Sequence, residues 1–323
     1  MIISKHGNKY EDQKGRAITD KTILSYVKKL VIPPNYKNTI IFYDPNKTPK
    51  ILYQGYDTKN RLQRIYSQEW NLAAARRKYC ELLNFAEQIP NITEATKKGI
   101  VEQEHTKNKM ISMIIRLVLV CYFRIGNSKY QELYGSFGAI NILKRHVVFV
   151  KDKGKEYVHI SFNGKKGIVN TCDVFDSILI NELKKLLKMR ENDQSVFLWN
   201  DNGVLTPISA IEVNQWLKEF DPILTSKNFR TYESNTALIG ALRNYEGPDQ
   251  LTPTVRKKIL NGALEAISKR LNNTTNILKK NYTQAGLIHM FTKEPSKYMD
   301  YFENKKTPRD ALVDYLKDFC KEN

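Results

Sequence analysis

The sequence has few cysteines, and they form no metal-binding or disulfide pattern. Four occur in 323 residues, at Cys80, Cys121, Cys172 and Cys320, and the five histidines are also scattered. Zinc sites and disulfide frameworks normally show short, regular spacings of these residues. We therefore expect no metal site and reduced thiols, as in an intracellular protein.

Long apolar runs and nucleotide-binding signatures are also missing. The most apolar run, Met110 to Phe123, is too short to span a bilayer and contains Arg116, so it predicts a buried helix. The N-terminal segment MIISKHGNKYEDQKG lacks the apolar stretch of a secretory signal. No G-x-x-x-x-G-K-[ST] sequence occurs. We expect a protein that stays inside the cell, does not enter a membrane and uses no ATP or other cofactor.

Acidic residues are scarce relative to basic ones. The chain has 34 Asp and Glu against 52 Lys and Arg, which gives a net charge of +18. Such an excess favours binding to polyanions. Nucleic acid is the partner that we expect, and an anionic membrane surface is the alternative. The proportions of apolar residues (41%) and charged residues (27%) are typical of a folded globular protein rather than a disordered one.

Residues 1–75 predict a small β-rich domain. Two strands, Thr39–Tyr43 and Lys50–Gln54, flank the turn signal Asp-Pro-Asn-Lys. Helical spacing of apolar residues begins at Ser67, and Pro90 is expected to end this first helix. Two more helices are predicted near residues 94–104 and 107–124.

Residues 76–323 predict a larger, mostly helical domain. Alternation between residues 142 and 171 indicates a small sheet of three short strands, with turns at Asp152–Gly154 and Asn163–Gly167. Further helices are predicted at Phe175–Met189, Ile208–Glu219, Thr231–Leu242, Pro253–Asn272 and Pro308–Lys321. The expected fold class is therefore α+β.

Three basic residues and a tyrosine occur in an order that suits chemistry at a phosphodiester. They are Arg124 in FRIGNSKY, Lys165 in FNGKKG, Arg230 in KNFRTY and Tyr282 in LKKNYTQAG. A tyrosine hydroxyl can attack phosphorus and carry the phosphoryl group covalently. Guanidinium groups can stabilise the charge of the transition state, and a lysine can protonate the leaving oxygen. The set therefore points to an enzyme that breaks and rejoins DNA.

Each of these residues also has an ordinary structural interpretation when it is taken alone. Arg124 could be a cation at the end of a helix, and Lys165 could be a solvated hairpin tip. Arg230 could be surface charge, and Tyr282 could be a core residue.

A second basic cluster lies in the N-terminal domain. It consists of Lys59, Arg61, Gln63, Arg64 and Tyr66, in the segment KNRLQRIY. Alternating cations, an amide and an aromatic ring suit contacts with DNA phosphates and some reading of base edges. The alternative is an edge strand kept soluble by its charges.

From about Ile51 to the end, the chain resembles the type IB DNA topoisomerases of poxviruses and other large DNA viruses, the mimivirus type in particular. The matching segments are GYDTKNRLQRIY, RIGNSKY, the GKKG hairpin, KNFRTYESN and the KKNY region. The resemblance implies that Arg124, Lys165, Arg230 and Tyr282 are catalytic. At the family's fifth catalytic position, a histidine nine residues before the tyrosine, this chain has Asn273. It also implies supporting DNA contacts from Lys129, Tyr130, Lys227 and Asn235.

This resemblance implies both a fold and an activity. The catalytic domain would have the fold shared with tyrosine recombinases, and residues 1–75 would form a DNA clamp. The protein would be a monomer that encircles duplex DNA and relaxes supercoils through a 3′-phosphotyrosyl intermediate, without ATP or metal. It would act inside the cell, in the virion and the host-cell viral factory if its source is a virus.

Two alternatives stay open at this point. A tyrosine recombinase or integrase would share the same four residues, although recombinases typically have His-x-x-Arg where this chain has Lys227-x-x-Arg230. A non-enzymatic basic DNA-binding protein would explain the charge but not the ordered motifs.

Overall fold

The computed structural model describes residues 1–7, 9–102, 105–243, 245, 247, 249–302 and 307–321. The chain divides into two compact units, Met1–Lys78 and Tyr79–Asn323. Together they have the mixed α and β composition that the sequence predicts.

The N-terminal unit is built on an antiparallel sheet and one short helix. Its elements are β1 Ile2–His6, β2 Lys9–Asp12, α1 Lys21–Lys29, β3 Lys37–Phe42, β4 Ile51–Tyr56 and β5 Leu62–Tyr66. The strand order is β2-β1-β3-β4-β5, so β5 is an edge strand. Ile3, Ile41 and Tyr53 are buried in one row across three strands, and Ile23 and Val27 of α1 belong to the same core.

Both predicted strands of this unit are confirmed. The predicted Thr39–Tyr43 corresponds to β3 and Lys50–Gln54 to β4, each shifted by one or two residues. Helix α1 was not predicted, although Asp20 marks its start: the Asp20 carboxylate accepts hydrogen bonds from the backbone N–H groups of Thr22 and Ile23.

The C-terminal unit is mainly helical. After α2 Gln68–Ile100, which contains the boundary between the units, its elements are α3 Lys107–Cys121, α4 Ser128–Tyr134, β6 Val147–Asp152, β7 Lys155–Asn163, β8 Val169–Val174, α5 Ser177–Lys188, β9 Leu198–Asp201, β10 Val204–Pro207, α6 Ala210–Lys218, α7 Lys227–Leu242, α8 Pro253–Arg270, α9 Thr275–Asn281, α10 Ala285–Lys293, α11 Pro295–Phe302 and α12 Pro308–Lys321. Strands β6, β7 and β8 form the predicted three-stranded antiparallel sheet, and β9 and β10 form a separate hairpin. The five helices predicted after residue 174 are all present as α5, α6, α7, α8 and α12.

The prediction that Pro90 ends the first long helix is wrong, because α2 continues through Pro90 to Ile100. A proline inside a helix has no N–H for the carbonyl four residues earlier, which here belongs to Ala86. Arg309 supplies the missing donors, since its Nε and Nη2 lie 3.3 and 3.1 Å from the Ala86 oxygen. The predicted helix near 94–104 is the last part of α2, and its residues 103 and 104 lie outside the described residues.

Helix α3 is the buried helix that the apolar run predicts. Its two internal charges are paired: Arg116 Nε lies 2.6 Å from Asp176, and Lys109 Nζ lies 2.8 Å from Glu182. Burial of such charges is tolerated when an opposite charge is close. Among the helices of the described ranges, none is long and apolar enough to cross a membrane.

The prediction of reduced cysteines is also wrong. Cys80 of α2 is bonded to Cys320 of α12, and Cys121 at the end of α3 is bonded to Cys172 of β8. The partners are 240 and 51 residues apart in the sequence. Tertiary packing alone brings them together, so a search for short cysteine spacings could not find them.

Candidate active site

The segment that follows α3 directs Arg124 towards distant parts of the chain. The helix ends at Cys121, and Tyr122 caps it in the left-handed conformation, with φ of 54°. Arg124 lies beyond this cap, and its Nη2 donates a 2.6 Å hydrogen bond to Asn273 Oδ1. The interpretation of Arg124 as a helix-end cation does not hold, because its guanidinium binds a side chain 149 residues away.

Glycines allow the loop after Arg124 to fold tightly. A Cβ atom on Gly138 would lie 2.5 Å from the Cα of Gly126, closer than such atoms approach in proteins. Gly126 itself has φ of 96°, which side chains disfavour. The close contact lets the backbone N–H of Ala139 reach the Arg124 oxygen at 2.9 Å, which fixes the backbone of Arg124.

Arg230 is a buried side chain rather than surface charge. It lies in the first turn of α7 and is only 2% exposed. Its two terminal nitrogens donate to the backbone oxygens of Tyr122 and Leu271. Burial, together with the nearby charge of Arg124, lowers the pKa of Arg230 to about 10, so the group still carries its charge at neutral pH.

Tyr282 lies beside this buried cation. Its ring centroid is 5.3 Å from the guanidinium carbon of Arg230, and the residue is 8% exposed. Burial raises the pKa of the Tyr282 phenol, but the charges of Arg230, Arg124 and Lys227 and a hydrogen bond from Arg230 outweigh it, so the pKa lies below 10.0. A lower pKa makes the phenolate, the nucleophilic form, easier to reach.

Asn273 joins this group through the oxygen of its amide. Its Oδ1 accepts from Arg124, which orients the amide so that Nδ2 is the donor left over. Within the described ranges, neither Asn273 Nδ2 nor Arg230 Nε has a hydrogen-bond partner, although both atoms are shielded from solvent. Buried donors are normally paired, so two unpaired donors in one site indicate a place for an anionic acceptor such as a phosphate oxygen.

Lys165 does not join these four residues. It lies in the short 3₁₀ turn at 165–167 between β7 and β8 and is exposed. Asn170 fixes the base of this hairpin, since its Nδ2 donates to the Ile168 oxygen at 2.8 Å. No hydrogen bond between described residues connects Lys165 to Arg124, Arg230 or Tyr282. Its catalytic role stays a prediction.

The expected DNA contacts near the site fall into two groups. Lys129 and Tyr130 lie on α4 and Lys227 at the start of α7, and all three are exposed. Asn235 is 0% exposed, so the prediction that it contacts DNA is wrong. Its Nδ2 donates to the backbone oxygen of Tyr282 at 2.9 Å, and its Oδ1 accepts from the backbone N–H of Gln284 at 2.8 Å. Asn235 therefore positions the backbone of Tyr282.

The N-terminal basic cluster lies on and beside the edge strand β5. Lys59 and Arg64 are exposed, and Arg64 donates to Gln54 Oε1 at 3.2 Å. Asp57 holds Arg61 at 2.6 Å and accepts from Gln63 at 3.1 Å. The Arg61 hydrogen bonds lower the pKa of Asp57 to about 2, so this carboxylate offsets the charge of Arg61.

Aromatic stacking extends this cluster towards α2. The ring of Tyr66 is stacked at 6.4 Å on Trp70, which also has Lys50 Nζ 3.7 Å and the Arg77 guanidinium 5.4 Å from its ring. The basic segment alone did not single out Lys50, Trp70 and Arg77. The periodic spacing of an amphipathic helix could have placed Arg77 within reach of Trp70.

Three further residues beside the site were not predicted: Tyr122, Glu233 and Arg270. Arg270 Nη1 lies 2.8 Å from Glu233 Oε1, and its Nη2 donates to the Tyr122 hydroxyl at 3.2 Å. The available signal was the position of Tyr122 and Glu233 within a few residues of the two arginines.

Comparison with known proteins agrees with this geometry. Residues 67–312, more than half of the chain, match the family model described as eukaryotic DNA topoisomerase I, catalytic core. The DNA topoisomerase 1B of Acanthamoeba polyphaga mimivirus is 24% identical over 327 residues, which cover 98% of this chain and 94% of that protein. The family match confirms the predicted resemblance and decides against a recombinase and against a non-enzymatic DNA-binding protein. The chain belongs to the DNA topoisomerase I family and is a type IB DNA topoisomerase.

Proposed function

We propose that this topoisomerase relaxes supercoiled duplex DNA by transient cleavage of one strand, without ATP and without a metal ion. The phenol oxygen of Tyr282 attacks the scissile phosphorus, the bond from phosphorus to the 5′ oxygen breaks, and a 3′-phosphotyrosyl link forms. Lys165 protonates the leaving 5′ oxygen, and the phenol proton passes to solvent. Superhelical strain turns the free end about the intact strand, and the reverse reaction reseals it. The phosphotyrosyl bond retains the energy of the broken bond, so no nucleotide is hydrolysed.

The observation that carries this proposal is the position of the Tyr282 phenol beside Arg230. The 5.3 Å separation places a fixed positive charge next to the nucleophile, and Arg124 and Lys227 add to the lowering of its pKa. The same charges suit a pentacoordinate phosphorus, whose non-bridging oxygens gain negative charge. Each terminal nitrogen of Arg230 donates to one backbone carbonyl, so the side chain can contribute its charge, its remaining terminal N–H groups and its Nε–H.

The remaining roles follow from the position of each side chain. Asn273 adds a neutral donor through Nδ2 while its oxygen holds Arg124. Lys165 is exposed at a hairpin tip, and we assign to it the protonation of the 5′ oxygen of a bound strand.

We further propose that the enzyme is a monomer that encircles duplex DNA. Cations and aromatic rings at the surface would contact phosphates and bases; they are the exposed Lys59, Arg64, Lys129, Tyr130 and Lys227 and the half-buried Tyr66. Arg61 and Gln63 are bonded to Asp57, and they would contact DNA after leaving this carboxylate for a DNA phosphate. An intracellular site of action, in a virion or viral factory if the source is a virus, stays a prediction.

The test is relaxation of supercoiled plasmid in EDTA without ATP, together with trapping of the covalent adduct by SDS. We expect the wild-type protein to relax the plasmid and form the adduct, and Tyr282→Phe to do neither while it still binds DNA. Tyr298→Phe is a matched control, because the Tyr298 hydroxyl is buried and has no hydrogen-bond partner among the described residues. An adduct formed by the Tyr282→Phe protein would show that Tyr282 is not the nucleophile. A requirement for magnesium or ATP would rule out the cofactor-free mechanism.

A further inference from the structure

The three groups that join Tyr282 in the candidate site come from three distant segments of the chain. Arg124 follows α3, Arg230 begins α7, and Asn273 follows α8. Reaction at phosphorus needs these groups in one fixed arrangement, and a misplacement of about 1 Å can cost about 10²-fold in rate. Something must therefore hold the three segments in register.

Each segment contributes a second side chain to a contact beside the site. Tyr122 lies two residues before Arg124, Glu233 one turn after Arg230, and Arg270 three residues before Asn273. These three second side chains meet, and Arg270 is at the centre of the contact. Its guanidinium binds the Glu233 carboxylate at 2.8 Å, donates to the Tyr122 hydroxyl at 3.2 Å and lies 4.9 Å from the centroid of the Tyr122 ring.

The same segments hold the guanidinium of Arg230. Its terminal nitrogens donate to the backbone oxygens of Tyr122 and Leu271, which is the neighbour of Arg270. A change in the contact between Tyr122 and Arg270 would therefore move both acceptors of Arg230. The contact between Tyr122 and Arg270 therefore helps to set the position of the Arg230 guanidinium.

We propose that Glu233, through Arg270 and Tyr122, positions Arg124, Arg230 and Asn273 for attack on phosphorus, and that the enzyme is fully active only while Glu233 is ionised. Glu233 is a positioning residue, since it does not reach the reacting atoms in this arrangement. The inference rests on the proposed function of the site and adds to it a residue and a dependence on pH.

The burial of Glu233 determines whether its ionisation raises or lowers the stability of the protein. Glu233 is 7% exposed, whereas the Arg270 side chain is 56% exposed. Burial raises the pKa of Glu233, and Arg270 and a hydrogen bond from Tyr122 offset only part of this rise. Ionised Glu233 therefore lowers stability relative to its protonated form, and this loss appears as the pH rises through the folded-state pKa. An arrangement that costs stability when charged is consistent with a role in activity.

The other titratable groups around this contact need to be separated from Glu233. The cavity beside Tyr122 and Arg270 is also lined by Lys269 of α8, His159 of β7 and Asp173 of β8. His159 Nδ1 lies 2.6 Å from Asp173 Oδ1, so a variant at His159 is needed as a control.

The experiment compares Glu233→Gln with the wild-type protein in single-turnover formation of the SDS-trapped adduct on plasmid DNA, over the range from about pH 5 to pH 8 that brackets carboxyl and imidazole titration. We expect the wild-type rate to fall as the pH is lowered through the Glu233 pKa. The Glu233→Gln protein should be slower by about 10-fold or more at neutral pH and should lack this acid limb. Its thermal midpoint at neutral pH should equal or exceed the wild-type value.

Three further variants separate this limb from other effects. Glu265→Gln removes an exposed ion pair with Lys269 on the same helix, 2.8 Å long, and should change neither rate nor pH profile. His159→Gln should retain the acid limb if Glu233 causes it. Arg270→Lys keeps the charge but loses the double contact, so it should be slower with an unchanged acid limb.

The outcomes distinguish this proposal from the function on which it rests. If the wild-type protein forms no adduct, both are overturned. If it forms the adduct but Glu233→Gln matches its rate and pH profile, the positioning role alone is overturned. A Glu233→Gln protein that loses rate and thermal stability in parallel, with its acid limb intact, would likewise show that Glu233 only supports the fold.

Discussion

Replacing Asn235 tests whether the backbone around the nucleophile is held from inside the protein. The side chain is fully buried and bonds Tyr282 and Gln284, the residues on either side of Thr283. Thr283 is also fixed, since its oxygen accepts from the Tyr79 hydroxyl at 2.7 Å. Three consecutive residues at the nucleophile are therefore anchored by buried side chains.

The expected cost of Asn235→Ala follows from the two groups that lose their partner. The backbone oxygen of Tyr282 and the backbone N–H of Gln284 would be left without a hydrogen-bond partner in the interior. The cost is about 1–3 kcal/mol each, or about 2–6 kcal/mol together. Native domains are stable by only about 5–15 kcal/mol, so the loss should be plain in a urea unfolding curve. Loss of the anchor should also slow cleavage by about 10²-fold, because it lets the nucleophile shift.

The assay measures three quantities on the same proteins: the unfolding midpoint in urea, the single-turnover rate of adduct formation at saturating DNA, and the affinity for DNA. We expect Asn235→Ala to lower the first two and leave the third unchanged, because a residue with no exposed surface cannot touch DNA. Asn91→Ala is the control, since Asn91 is an exposed amide on α2 that donates to Gln88 Oε1 at 2.8 Å. Weaker DNA binding with a normal rate and normal stability would refute the positioning role and restore the predicted DNA contact.

Three further predictions concern the site and the disulfides. Asn273→Ala should slow cleavage by about 10- to 100-fold, with the same loss at every pH between about 5 and 8, because an amide does not titrate there; a loss confined to acidic pH would contradict this. Lys165→Ala should slow cleavage, and a 5′-bridging phosphorothiolate, whose sulfur leaves without a proton, should restore the rate; rescue of Lys166→Ala instead would assign the role to the neighbouring lysine. Replacing Cys80 and Cys320 by serine should lower the free energy of unfolding by about 2–4 kcal/mol, because the bond closes a very long loop; an unchanged urea midpoint would contradict it.

Local patterns predicted those parts of the fold that depend on local interactions. The Pro308–Lys321 helix is confirmed at both ends, and its start follows from Thr307, whose hydroxyl accepts from the Asp310 N–H at 3.1 Å. The strands around residues 142–171 follow from alternation in the same way. These signals are visible because cause and effect lie within a few residues of each other.

The wrong predictions concern features that depend on residues far away in the sequence. Pro90 would end a helix in isolation, but Arg309, 223 residues away in the sequence, bonds the carbonyl that the proline leaves free. The disulfide partners and the burial of Asn235 have the same origin. At the site, motif order identified Arg124, Arg230 and Tyr282, whereas the contact between Glu233 and Arg270 exists only once three segments are packed together.

The charges of the site explain why a cluster of cations can persist beside a tyrosine. Burial and Arg124 lower the pKa of Arg230, while both arginines lower the pKa of Tyr282, so the charges of these groups influence one another. Two buried donors, Arg230 Nε and Asn273 Nδ2, lack acceptors within the described part of the chain. A phosphodiester supplies both missing elements at once, since its negative charge relieves the repulsion and its oxygens accept from the free donors. In the proposed function, a bound DNA strand would therefore supply the acceptors that these two donors lack.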